Sequence, residues 1–321
     1  MNTAIPVPTE VPLPPQASPL RRPVSPQCFY TPPGAVGDGC DGTIPIRFEA
    51  DPSPQGSACG TAARSNATRP MTANADMGSV VMLSSAVAGV GVSTLAAMLA
   101  RTLAQRGVKC VLVDADLQGG GLDVLLGIEN EDGSRFGDIN APLGKVDGKA
   151  LLRELPVWDG VPVLSCDPWK VENPQWWEIQ ACIRSLAQTR RMVIVDAASH
   201  IGLDGLGDYI GARHIVVVEM TVLGLARAKA LLKSSGTFDG DDGPSPILVG
   251  IGPRGTIRNR GTTDVAEAEE YLGREIDIVI RPDGRLCSAL LEGLGLRKPN
   301  TATRKALERL ADCVRGKVRK A

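Results

Sequence analysis

The sequence predicts a doubly wound α/β fold: a mainly parallel sheet of about seven or eight strands with helices on both faces, preceded by a disordered tail. Three observations predict it. From residue 79 onward, short apolar runs rich in Val and Ile alternate with longer segments of helical period, the pattern of strands joined by crossing helices. Each intervening segment is long enough for a right-handed crossover, and no internal repeat interrupts the series. The chain also has the means to build a core, since 321 residues with 43% hydrophobic content suffice for a full α/β domain.

Residues 1–78 hold fourteen of the 24 prolines and few large apolar side chains, so burial there cannot offset the entropy of ordering. The expected organisation is a Pro-rich, largely disordered region over 1–78 and one folded domain over 79–321. Pieces such as PVPTEVPLPP favour polyproline geometry. Residues 43–50, TIPIRFEA, alternate enough for a short strand at a sheet edge.

Within the domain, β-branched runs place strands at 80–84, 109–114, 161–166, 191–196, 214–220, 247–251 and 275–280. Helical period places helices near 93–106, 148–155, 174–189, 223–235, 263–272 and 285–292, with a last one over about 301–319. That last helix carries Ala306, Leu307, Leu310, Ala311, Val314 and Val318 as one apolar stripe with a basic opposite face. A stripe of alanine and valine suits packing on a sheet; a basic amphipathic helix also suits a membrane surface. The expectation is that Leu307, Leu310 and Val314 pack on the sheet and only the basic end reaches outward.

The net charge of −1 argues for no particular partner, although residues 304–321 carry seven basic side chains against Glu308 and Asp312. The eight cysteines are scattered, without a C-x-x-C pair or a ligand cluster with the two histidines, which points to reduced thiols. No apolar run is long enough to span a bilayer. A cytoplasmic protein is expected, with peripheral contact at the inner face of the membrane as its closest approach to lipid.

Residues 79–94, SVVMLSSAVAGVGVST, organise the domain. An apolar strand runs into a glycine loop and then a helix start. In such a loop, backbone N–H groups turn inward on an anion, and the helix N-terminus adds its dipole. Gly89, Val90 and Gly91 form the loop, and Ser93 and Thr94 offer hydroxyls to a Mg²⁺ ion and to the helix end. A full phosphate-binding signature requires a lysine where Val92 stands.

This stretch resembles the deviant phosphate loop of the MinD/ParA family, whose K-G-G-x-G-K-[ST]-T maps onto residues 87–94, with Val87 and Val92 in place of both lysines. The run VDADLQGGGLDVLLG is similar to that family's first switch, most closely in its CpaE/TadZ-type branch and the actinobacterial septum-site-determining relatives. By resemblance, Asp116 would position an attacking water and Asp114 would lie near the metal. RMVIVDAASHIG resembles the second switch, with Asp196 as the carboxylate that holds Mg²⁺. There Ala198 replaces the usual proline and His200 the usual glycine. VIRPDG matches the segment flanking the adenine, so Pro282 and Asp283 are carried over, whereas Gly250 and Gly252 replace the usual base-reading asparagine.

The resemblance implies a P-loop NTPase-like fold, binding of ATP or ADP with Mg²⁺ in weakened or lost form, and a homodimer formed across the nucleotide. It further implies a protein partner in a septum or a Tad/Flp pilus-secretion machine. Loss of both lysines makes a pseudo-ATPase the leading reading. An active ATPase in which an arginine replaces a lysine is the alternative, with Arg254, Arg258 and Arg260 as candidates. A ParA-like nonspecific DNA binder is the third reading, and nucleic acid is the least favoured partner.

Overall fold

The computed structural model describes residues 77–116, 121–139, 145–170, 174–197, 212–234, 245–253 and 261–316. The strand expected over 43–50 lies outside them, as do Ala198, His200 and the three loop arginines. Among the described residues, one sheet of eight strands is flanked by helices, and the P-loop NTPase-like α/β fold is confirmed.

The chain enters through a short 3₁₀ turn into β1 (Val80–Ser85), then passes through α1 (Val92–Gln105), β2 (Cys110–Asp114) and a single-turn α2 (Leu122–Leu126). Next come α3 (Gly148–Glu154), β3 (Val157–Trp158), β4 (Val161–Leu164), α4 (Trp176–Ala187) and β5 (Met192–Asp196). The second half holds β6 (Arg213–Glu219), α5 (Val222–Ser234), β7 (Ile247–Ile251), α6 (Val265–Leu272), β8 (Ile278–Ile280), α7 (Gly284–Leu291) and α8 (Thr301–Val314). All seven strands expected from β-branched runs are present. β3 was not foreseen: it is two residues long and pairs antiparallel with β4 across a tight turn. Nor was α2, a single turn entered through Gly121 and closed by Gly127, both left-handed.

Strand order is β3-β4-β2-β5-β1-β6-β7-β8, parallel except for the β3–β4 pair. The chain winds outward from β1 to β2 and β4, returns to lay β5 between β2 and β1, and then proceeds through β6 to the other edge. β1 is thus where the winding reverses, and ligands of open α/β sheets bind at the carboxyl ends of such strands.

Alternation along the strands divides the core. Leu83, Leu112, Ile194 and Ile215 face α1, α7 and α8 and pack with Leu95, Leu99, Leu286 and Leu310. Met82, Val113 and Val195 face the other way, onto Ile179 and Ile183 of α4 and Leu151 of α3. Val216 and Val218 meet α5 and α6 on that same second face. The last helix is packed as its stripe predicted: Leu307, Leu310 and Val314 are buried, with α8 laid against α1 and β8. It ends at Val314, earlier than period alone suggested, and the Arg213 guanidinium donates to the Val314 carbonyl there.

Candidate functional site

The site is built where β1 runs out. Ser85, its last residue, donates its hydroxyl to the Val217 carbonyl of β6 at 2.8 Å and accepts the Val87 N–H at 3.1 Å. The loop then turns through Gly89 (φ 74°) and Gly91 (φ 103°) before α1 starts at Val92. Only glycine adopts φ near +100° without strain, so Gly91 is required by the turn itself. A Cβ added at Gly89 would meet nothing within 4 Å, so the loop is open at that point. No side chain caps α1 and no acid stands in its first turn, which leaves the positive end of its dipole facing the loop. Ser93 and Thr94 are half-buried in that first turn.

Opposite the loop stand two buried carboxylates. Asp114 ends β2 and Asp196 ends β5, and the two are direct partners in adjacent parallel strands. Two residues earlier on each strand, Leu112 and Ile194 pack into the α1 face, and a period of two carries Asp114 and Asp196 to that same face. Burial, then the neighbouring charge of Asp196, then that of Asp116, pushes the Asp114 carboxyl well above the usual carboxylate range. The Asp116 N–H donates to Asp114 Oδ1 at 3.0 Å and partly opposes that shift. The structure therefore brings Gly89, Val90, Gly91, Val92, Ser93, Thr94, Asp114, Asp116 and Asp196 to one edge of the sheet.

A nucleotide with Mg²⁺ is tested by these residues in two ways. The carboxylate pair fits a divalent cation: two acids on adjacent strands, about 4.8 Å apart by strand spacing, repel each other when both are ionised, and a cation relieves that repulsion. The glycine loop and the uncapped helix fit a phosphate. The loop supplies no ammonium, however. Val92 is 4% exposed, set in the apolar cluster with Leu95 and Leu99, and Val87 is half-buried.

The segment that the resemblance sets beside the adenine has the following geometry. Pro282 is exposed beside Gly252, whereas Asp283 is buried and engaged on both oxygens. Oδ1 accepts the Leu286 N–H at 3.3 Å as cap of α7, and Oδ2 accepts the Asn300 N–H at 2.8 Å at the entry of α8. Asp283 thus ties the starts of two helices together. At Gly250, an added Cβ would come within 2.8 Å of the Met220 sulfur, so Met220 fills the space a larger residue there would need.

Sequence reasoning missed a second charged cluster beside the site. Asp123, in the first turn of α2, is fully buried and receives Arg135 Nε at 2.6 Å on one oxygen and the Ser165 hydroxyl on the other. Arg135 also donates to the carbonyls of Gly133, Ile128 and Glu131 at 2.8, 2.9 and 3.2 Å. An aspartate inside the apolar run LDVLLG was the available signal, but its partners lie 12 and 42 residues away.

Comparison with known proteins follows this geometry. The ParA family model, described as an NUBPL iron-transfer P-loop NTPase, matches residues 76–148, from the entry of β1 to the first residue of α3. A MinD-type septum site-determining sequence of Tupiella akineta is 25% identical over 250 residues, covering 74% of this chain and 78% of its own. By sequence and by fold the chain is ParA/MinD-like. A ParA family ATPase of Chlorobium tepidum superposes with a TM-score of 0.58 at 24% identity, over 72% of this chain and 98% of that one. MinD in the MinC:MinD complex of Aquifex aeolicus gives 0.55 at 19%, over 75% and 98%. MinD of Pyrococcus horikoshii, solved with Mg-ADP, gives 0.52 at 20%, over 73% and 95%. These structures share the fold with this ParA/MinD-like chain.

Proposed function

We propose that this ParA/MinD-like chain is a regulatory or localisation protein, acting in septum placement or in positioning a pilus-secretion machine, that has lost ATP turnover while keeping a reduced nucleotide site. The observation that carries the reading is Val92, buried in the core at the loop position where phosphate chemistry calls for a lysine. Septum-site relatives and the MinC-bound neighbour support the regulatory role. The neighbour holding Mg-ADP supports the ligand class.

In this reading the backbone of Gly89 to Gly91 and the α1 N-terminus hold the phosphates. Asp196 and the Ser93 hydroxyl would hold Mg²⁺, Asp114 would lie near it as the strand partner of Asp196, and Asp116 would orient a water. Mg-ATP, when bound, would supply the polyphosphate that these residues would hold. Catalysis of phosphoryl transfer rests on positioning and on charge placed against the transferring group. A single preorganised donor contributes about 2.7 to 4 kcal/mol there, so the absence of both lysines removes turnover before it removes binding.

The experiment is a pair of measurements on purified protein. Hydrolysis of Mg-ATP should equal that of a Ser93→Ala, Asp116→Ala double variant, while calorimetric titration with Mg-ADP should show weak binding. Val92→Lys should tighten that binding by about tenfold or more, the value of one charge-assisted contact. Turnover clearly above the double variant would refute the pseudo-ATPase reading.

A further inference from the structure

We propose, on the basis of the cation site set out above, that Asp123 is its positioning residue. Anchored by Arg135 and Ser165, Asp123 sets α2 so that the Leu122 backbone N–H meets Asp114, and through that contact it governs how well the Asp114–Asp196 pair takes a divalent cation. Leu122 is the first residue of α2, entered through Gly121 at φ 105° with no side-chain cap. Its N–H therefore has no acceptor inside the helix. Asp114 supplies one: the Leu122 and Asp116 N–H groups both hydrogen-bond to its carboxyl group, the second at 3.0 Å. Two N–H groups, one from the exit of β2 and one from α2, thus orient one buried carboxylate.

The residue after Leu122 holds α2 in that place. One oxygen of Asp123 takes Arg135 Nε at 2.6 Å and the other takes the Ser165 hydroxyl. Arg135 is fixed in turn by the carbonyls of Gly133 and Ile128, at 2.8 and 2.9 Å. Ser165 is fixed by the sheet, since its carbonyl receives the Phe136 N–H at 3.0 Å and it directly follows Leu164, the register partner of Val113. It is therefore level with Asp114. Val163 packs into the α1-facing cluster and Leu164 into the opposite one, so a period of two sets Ser165 on the same face as Asp114.

Asp123, Arg135 and Ser165 are all buried, so the network is shielded from water along its length. It runs from the turn at Arg135 and the exit of β4, through one carboxylate, to the helix start that touches Asp114. An ion pair that served stability alone would leave cation affinity untouched in a variant that still folds. Groups that orient the carboxylates of a metal site change that affinity by about 10- to 100-fold. Asp123 acts through Leu122 and Asp114, one step removed, so the lower end of that range is expected.

The test is calorimetric titration of the full chain with Mg²⁺, joined to amide hydrogen exchange without metal. Asp123→Asn and Ser165→Ala should each weaken Mg²⁺ binding about tenfold. Ser165→Ala leaves the Asp123–Arg135 ion pair in place, so it carries the test if Asp123→Asn does not fold. Leu307→Ala, which loosens the buried α8 packing away from the network, should change Mg²⁺ affinity less than about twofold. In the metal-free chain the Leu122 amide should exchange about tenfold faster in Asp123→Asn and in Asp114→Ala, while the amides of β5 keep the parental rate. Parental Mg²⁺ affinity in whichever network variant folds, an equal loss in Leu307→Ala, or parental protection of the Leu122 amide in Asp123→Asn would each overturn the role of Asp123 alone. A parent that binds no Mg²⁺ would refute the cation site itself, and the role of Asp123 with it.

Discussion

At Asp123 a carboxylate sits with no exposure at the start of a five-residue helix, and its placement depends wholly on Arg135 and Ser165. A buried ion pair contributes little net stability over an apolar substitute, yet removal of one partner strands the other charge, at about 3 to 5 kcal/mol. Asp123→Ala should therefore lower stability by that amount in denaturant titration, whereas Glu292→Ala, fully at the surface, should change it by less than about 0.5 kcal/mol. Because Asp123 stands two residues beyond Gly121, the knot also fixes the entry of α2. A loss below 1 kcal/mol on Asp123→Ala would show that Arg135 finds another partner and that the knot does not anchor α2.

At the scale of elements, the parallel strands were legible because strands buried on both faces are written as β-branched runs, and β1, β2 and β5 to β7 are of this kind, while the edge strand β8 keeps the run although Val279 is exposed. What stayed hidden was short or non-local. β3 has two residues, too few for any period, and α2 is one turn defined by its glycine ends. The loop residues and both strand-end acids were readable as a set because motif spacing survives in sequence. The capping role of Asp283 was obscured by a motif match, although an aspartate three residues before Leu286 is also an ordinary helix start. For α8 the sequence weighed lipid against the sheet and expected the sheet, and the packing agrees. Leu310 has no exposure and lies in the cluster with Leu307, Val314 and α1. Leu310→Asp should cost more than about 4 kcal/mol, enough to unfold the domain at ambient temperature. A cooperative melt at the parental temperature in that variant would mean that α8 does not close the sheet.

At the scale of the whole molecule, His214 and Asp114, both buried, pull stability in opposite directions with pH. His214 on β6 is buried, and desolvation lowers its pKa below the ordinary 6.5. Above that value it is neutral both folded and unfolded. As pH falls below 6.5, the unfolded chain takes up the proton first, so stability is lost as pH drops towards the folded value. Asp114 acts the other way. Its folded pKa is raised above 3.8 by burial and by Asp196, so the folded state keeps its proton longer. Stability is then lost as pH rises from 3.8 through the folded value and stays low above it. Calorimetric melting across pH should resolve the two. His214→Gln should flatten the acid limb below about pH 6.5 and leave the rest unchanged. Asp114→Asn should raise the melting temperature at neutral pH. It should also reduce any stabilisation by Mg²⁺, because part of what the cation gains is relief of the repulsion between Asp114 and Asp196 that the amide removes. A Mg²⁺ response as large in Asp114→Asn as in the parent, yet lost in Asp196→Asn, would show that Asp196 holds the cation without help from Asp114; a response kept in both variants would place the cation away from the β2–β5 carboxylate pair.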